Sequence, residues 1–372
     1  MIALNIECEV PISKGLWQKA IEHAVSLVGL ANGSQTISSV FSVTFVDEKT
    51  ITELAGKYRN DPRPTDVLSF SLDTAEAKTQ NAAKQASGQK STVPNAPKGE
   101  VIVCPEVILR NAEKFKVPFS EELLRVTVHG LLHLKEMDHE PFKFPLLSKG
   151  LKPEVLKSRS YIDAKKMFEL QEGLVKQLRF DVFAPKLIVG LGNPGKKYAN
   201  TRHNAGFLFA GILLRVVGAK LEVAYSSRST ELSEGVSKHG ASYANFGAVH
   251  YALPQGGMNV SGRAVARLCE YLKIDPRESL LIVHDDLDLR LGERKLSYGK
   301  GRLHKGVEDV ERSLKTSRFW RLRLGVDARD ARNREEGKEY VLQNLGFEER
   351  KVLDKVLAEA ARAIAENIRL VG

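Results

Sequence analysis

Leu187-Ile188-Val189-Gly190-Leu191-Gly192-Asn193-Pro194-Gly195 predicts a short buried strand that runs into a glycine turn. Just upstream, Arg179 to Lys186 carries Pro185 and reads as a domain boundary. Downstream, Leu281-Ile282-Val283 predicts a second short buried strand, Arg321 to Val326 a third, and Phe347 to Leu370 a terminal amphipathic helix. Upstream, Ile2 to Val10 is strand-like. Trp17 to Ala31 predicts an amphipathic helix with Trp17, Ile21, Ala24, Val25 and Val28 on its apolar face. Ser39 to Val46, Val67 to Leu72 and Glu100 to Cys104 predict strands. Ser120 to Leu134 predicts a helix with Ser120 as N-cap, and Ser160 to Leu178 another. Strands alternating with helices in both halves argue for layered α/β or α+β architecture. Two domains are expected, 1–182 and 183–372.

Residues 73–98 are rich in Ala, Lys, Gln, Ser and Pro and nearly lack large apolar side chains. That composition predicts a flexible insertion. Residues 141–158 form a basic, proline-containing stretch and are expected to be a loop. The 372 residues carry a formal net charge of +10, with 42% hydrophobic and 27% charged residues. Such a balance suits a globular protein with polyanionic partners, of which nucleic acid is the commonest. Three scattered cysteines, Cys8, Cys104 and Cys269, form no CxxC pair. Neither a disulfide framework nor a thiolate zinc site is supported, and a reducing compartment is expected. No apolar run is long enough to span a bilayer, and no signal peptide is visible. The expected location is the cytoplasm, or an organelle stroma or matrix after removal of a transit peptide.

His129 and His133 stand four apart in a segment read as helical, so both imidazoles share one face. His139 follows after a break that can fold the chain back. Three neutral imidazoles suit zinc and leave a fourth position for water, the mark of a catalytic metal. Asp138 is placed to orient one ligand. The competing reading is three unrelated, hydrogen-bonded histidines. Gly130 stands where a zincin protease needs its glutamate, which disfavours that chemistry.

The glycine turn at 190–195 also fits the GxGxxG dinucleotide fingerprint. That fingerprint needs a helix starting in the turn and an acidic residue about 20 positions on. Here Pro194, Lys196-Lys197-Tyr198 and Asn200 read as continuing loop, and the next carboxylate is Glu222. His203 follows in Thr201-Arg202-His203-Asn204-Ala205-Gly206. A histidine there can serve as a base near neutral pH, or be a loop residue without a role.

The run His129 to His139 resembles the HGxLHLxGYDH signature of YbeY-type endoribonucleases, metal-dependent RNases of ribosomal RNA maturation. Tyr58-Arg59 with Pro64-Thr65-Asp66-Val67-Leu68-Ser69-Phe70, the strand at Gly99 to Val103, and Met167 to Leu174 extend the likeness. The resemblance implies an N-terminal α+β metal-hydrolase domain. It also implies one Zn2+ held by His129, His133 and His139, and Arg59 as the catalytic or phosphate-contacting arginine, a role that suits a guanidinium. A surface ion pair is the alternative for Arg59. Glu136 and Met137 replace a Gly-Tyr pair, and a glutamate forced to positive φ there would cost about 1 kcal/mol.

The second half resembles bacterial-type peptidyl-tRNA hydrolases. The likeness rests on residues 187–206, Pro254 to Gly262 and His284-Asp285-Asp286-Leu287-Asp288. It implies a C-terminal α/β/α mixed-sheet hydrolase domain without cofactor. His203 would be the base and Asp285 its carboxylate partner. Asn193, Tyr198, Met258, Asn259 and Lys305 would bind substrate. Lys305 occupies an asparagine position, Gly257 replaces an aromatic residue, and Ser297 replaces a lysine. Together the resemblances imply a bifunctional RNA-directed hydrolase with rRNA and peptidyl-tRNA as partners, associated with the ribosome and with no membrane. A ribosome- or tRNA-binding adaptor with dead sites is the alternative. A metalloprotease joined to a nucleotide-binding domain is a third reading.

Overall fold

A computed structural model describes residues 2–10, 12–29, 40–71, 97–139, 153–218, 237–238, 240–246, 248–301, 304–329 and 336–371. Most of the expected insertion and of the basic loop, and Glu222, lie outside them. Pro97 and Lys98, the end of that insertion, instead open a strand, because Pro97 is registered against Val40. The chain divides into two compact units, Met1–Val182 and Phe183–Gly372. Both are α/β.

In the first unit, β1 (Ile2–Ile6), β2 (Val40–Phe45), β3 (Val67–Ser71) and β4 (Pro97–Val103) form a sheet in the order β1-β2-β4-β3. All pairings are parallel except β3 with β4. The helices are α1 (Lys14–Val28), α2 (Glu48–Arg59), α3 (Pro105–Phe115), α4 (Phe119–Leu134) and α5 (Arg159–Val182). The apolar stripe of α1, from Trp17 through Ile21, Val25 and Val28, is fully buried, and Trp17 meets Phe45 edge-on. Helix α4 packs on β3, β4 and α5, so it is buried almost throughout. Its N-cap is Pro118, not Ser120. The proline's ψ of 148° is extended and places it just outside the helix, and its carbonyl accepts the Glu122 N–H.

In the second unit, the described residues form a seven-stranded mixed sheet. Its members are β5 (Leu187–Gly190), β6 (Ser237–Lys238), β7 (Ala241–Phe246), β8 (Val249–Pro254), β9 (Leu280–Arg290), β10 (Arg294–Tyr298) and β11 (Trp320–Asp327). The order is β10-β11-β9-β5-β8-β7-β6, with β11, β9, β5 and β8 parallel. Helices α6 (Ala205–Val217), α7 (Ser261–Tyr271), α8 (Lys305–Leu314) and α9 (Phe347–Val371) complete the layers. Strand β5 has β8 on one side and β9 on the other. The chain leaves β5 toward the β8 side of the sheet and leaves β9 toward the β10 side, so the strand order switches beside the carboxyl end of β5, the usual site position in such sheets. Strand β9 runs well past the expected Val283, to Arg290. Among the described residues, no helix is long and apolar enough to cross a membrane.

Candidate active sites

Helix α4 carries His129 and His133 on one face, and the chain reverses after Leu134 to return His139. The reversal is a left-handed turn at Glu136, φ 61°, with the Met137 N–H donating to Leu132 O. Glu136→Gly is expected to raise stability by about 1 kcal/mol, because only the side chain resists that φ. An increased denaturant midpoint at unchanged m-value checks this. Gly130 lies where α4 crosses the sheet. A Cβ there would stand 2.5 Å from Val101 Cγ1 and 3.0 Å from Ser69 Oγ, so no glutamate fits between the two histidines.

The three imidazoles converge. His129 Nε2 lies 3.2 Å from His133 Nε2 and 3.2 Å from His139 Nε2. Nitrogens about 2.0–2.1 Å from a tetrahedral zinc stand about 3.3 Å apart, so the spacing fits one shared ion. Phe168 packs against His129 and His139 as an apolar wall. Burial drives His129 down to about 4, with the neighbouring rings adding to the effect and a hydrogen bond to Gln171 opposing it. The ring is therefore neutral, as a ligand must be. Asp138 accepts the His139 backbone N–H, which braces the returning turn. Arg59 is exposed at the end of α2, on a hollow lined by Ala55, Asp61, Arg63, Pro64 and Thr65. Arg63 is bound bidentately by Asp61, whereas Arg59 is in none of the ion pairs found among the described residues.

In the second unit, the glycine turn leads into two 3-10 turns, Lys196–Tyr198 and Arg202–Asn204, and α6 begins only at Ala205. No helix begins in the turn itself, so the strand–turn–helix geometry of the dinucleotide fingerprint is missing. What the glycines allow is close crossing. A Cβ on Gly190 would lie 2.4 Å from Gly206 O, and one on Gly206 would lie 2.4 Å from Val283 O. This contact sets the start of α6, and with it His203, against the carboxyl end of β5 and the middle of β9.

His203 Nδ1 lies 2.9 Å and 3.1 Å from the two oxygens of Asp285, a fully buried carboxylate on β9. Burial alone would lower the His203 pKa. The Asp285 charge and hydrogen bond outweigh it and raise the pKa above the usual value, while nearby Lys305 pulls it down. Asp285 also receives His304, whose Nε2 lies 3.0 Å from Oδ1. His304 Nδ1 accepts the Val307 N–H as the N-cap of α8, so its proton is on Nε2 and is donated to Asp285. Despite its burial, Asp285 is held far below the usual carboxylate range by these two rings. His203, Asp285 and His304 lie close enough for one ion. The engaged Nδ1 of His304 favours the hydrogen-bonded network instead. His284 donates from Nδ1 to Asp285 O, and burial pushes it down to about 3.

Asn193 is locked from three directions. Asn204 accepts its backbone N–H and donates to its carbonyl, and the Met258 N–H donates to its Oδ1. With Oδ1 engaged, the amide NH2 is the polar group of this side chain that remains for a ligand. Met258 contributes that N–H, while its side chain is buried against Gly306. Gly257 just before it has φ 86°, a conformation that favours glycine. Asn259 is exposed, and so is Lys305 at the first turn of α8. Tyr198 is half-buried, its ring under the Lys197 ammonium and its carbonyl accepting the Thr201 hydroxyl. The His203 backbone donates to Val341 O, and buried Arg202 binds both oxygens of Glu349 while stacking on Tyr340. His304, Asn204, Arg202 and Gln171 make contacts to which the motif reading gave no role.

Lys305→Asn is expected to raise the His203 pKa, since it removes a repelling charge. A base must be neutral, so the acidic limb of any His203-dependent rate profile then moves to higher pH. Added salt should shrink the difference between the two proteins, because Lys305 is exposed.

The family model described as Peptidyl-tRNA hydrolase matches residues 187–370, and that described as Endoribonuclease YbeY matches residues 4–143. The peptidyl-tRNA hydrolase of Mycoplasmopsis synoviae is 41% identical over 178 residues, which cover 47% of this chain and 86% of that protein. That of Thiobacillus denitrificans is 40% identical over 177 residues, covering 47% and 80%. A crystal structure of peptidyl-tRNA hydrolase from Acinetobacter baumannii aligns at 30% identity over 50% of this chain and 94% of that one, with a TM-score of 0.40. The chain thus belongs to the peptidyl-tRNA hydrolase family through its C-terminal domain and carries a YbeY endoribonuclease domain at its N-terminal end.

Proposed function

We propose that this protein is a bifunctional RNA-directed hydrolase. Its C-terminal domain hydrolyses the ester of peptidyl-tRNA, and its N-terminal domain is a metal-dependent single-strand endoribonuclease of rRNA maturation. The observation that carries the reading is the His203–Asp285 pair beside the carboxyl end of β5, 2.9 Å apart, with the locked amide of Asn193 in the turn that follows that strand.

In the ester reaction, His203 Nε2 takes a proton from water as the oxygen attacks the ester carbonyl. Asp285 holds the Nδ1 proton and stabilises the imidazolium. The Asn193 NH2 donates to the carbonyl oxygen as charge builds there. The C–O bond to the terminal ribose then breaks, and His203 returns the proton to the leaving oxygen. The products are a free peptide carboxylate and a tRNA 3′ end. Asn259 and Tyr198 contact the substrate. Exposed Lys305, in the asparagine position, adds charge toward RNA phosphate.

In the N-terminal domain, His129, His133 and His139 would hold one divalent cation, with Zn2+ the best match to three imidazoles. Such an ion supplies Lewis-acid activation of water. Arg59 contacts the RNA phosphate. The net charge of +10 suits both polyanionic substrates and a place on or near the ribosome. The test is release of the blocked amino acid from an N-acetyl-aminoacyl-tRNA, alongside cleavage of a single-stranded rRNA fragment, by one purified preparation. Loss of the first activity in His203→Ala and retention of the second is the expected result. Equal ester hydrolysis by both proteins would remove His203 from the mechanism.

A further inference from the structure

His129 is held from behind by a residue outside the stretch matched by the YbeY family model. Gln171, on α5, is 1% exposed, and its Oε1 lies 2.8 Å from His129 Nδ1. An amide can present either its oxygen or its NH2, and the choice decides the tautomer of the imidazole it meets. Here the choice is made by Glu172. Gln171 Nε2 donates to Glu172 Oε1 at 3.4 Å, and a carboxylate can only accept. Reversing the amide would set oxygen against oxygen. Glu172 is itself fixed by Arg125, which reaches it at 2.8 Å. Arg125 stands one turn before His129 on α4 and also binds Glu121 and Glu122. The polar chain thus returns to the helix that carries the ligand.

We propose that Gln171 is a positioning residue for the metal centre. It keeps the His129 proton on Nδ1, so that the Nε2 lone pair faces His133 and His139. The inference rests on the metal reading above. Without Gln171, His129 would share its proton between both nitrogens, and part of the population would meet an ion with N–H instead of a lone pair. Removal of such outer partners weakens metal affinity by about 10–100-fold.

The experiment uses the full chain stripped with a chelator and titrated with Zn2+ against a chromophoric competitor. Gln171→Met keeps bulk and removes the acceptor, and is expected to bind Zn2+ about 10–100-fold more weakly. Gln171→Glu keeps an acceptor and is expected to stay within about threefold of wild type or bind tighter. Long-range 15N spectra of the zinc-free proteins should show an Nδ1–H tautomer for His129 in wild type and a mixture in Gln171→Met. Thermal melts confirm that each variant is folded. Wild-type affinity in Gln171→Met would overturn the inference and leave the metal reading standing, as would equal weakening in both variants. Failure of folded wild type to bind Zn2+ would overturn both.

Discussion

Asp285→Asn is expected to lower ester hydrolysis by about three to four orders of magnitude. The size of the effect follows from how the carboxylate is shared. His304 has its Nδ1 engaged by the Val307 N–H, so it donates from Nε2 to the residue-285 side chain. An asparagine would keep its oxygen on that donor and turn its NH2 toward His203 Nδ1. His203 would then accept at Nδ1 and carry its proton on Nε2, where a base needs a lone pair. Burial would also be unopposed, so the ring pKa would fall and the residual activity would have its acidic limb at lower pH. The measurement is kcat/KM against pH on an N-acetyl-aminoacyl-tRNA. A loss smaller than about tenfold would show that the carboxylate has no such role.

The second large effect is expected from His133→Ala. Two imidazoles cannot hold zinc as three do, and the variant should lose stoichiometric Zn2+ and endonuclease cleavage together. Ester hydrolysis by the same sample should stay within about twofold of wild type, because the two centres share no residue. Metal content of the purified chain decides the first part. Full zinc retention in folded His133→Ala would mean that this histidine is not a ligand.

The elements that local pattern located well are those with uninterrupted apolar periodicity. Helix α1 buries the stripe read from Trp17 to Val28, and β5 buries all four of its residues. Pattern failed where buried groups are polar. The apolar run ends at Val283, yet strand β9 continues through His284-Asp285-Asp286 to Arg290. They are buried because His203, His304 and Arg323 satisfy the two carboxylates, which no window of sequence can display. Helix α2 was not anticipated, because its outer face is nearly all polar and only Ile51 and Ala55 are buried.

Residue type and order by themselves determined which groups this chain offers: imidazoles one helical turn apart, a glycine turn with an asparagine, a histidine downstream of it, and a boundary in the sequence near Pro185. Tertiary structure alone decided who touches whom. It carried Gln171 from a distant helix to His129, placed His304 opposite His203 on one carboxylate, and tied His203 to the segment at 340–349. The physical reason is range. Backbone periodicity and turn preference act over a few residues, whereas a proton's position on an imidazole depends on a partner that only folding brings within about 3 Å.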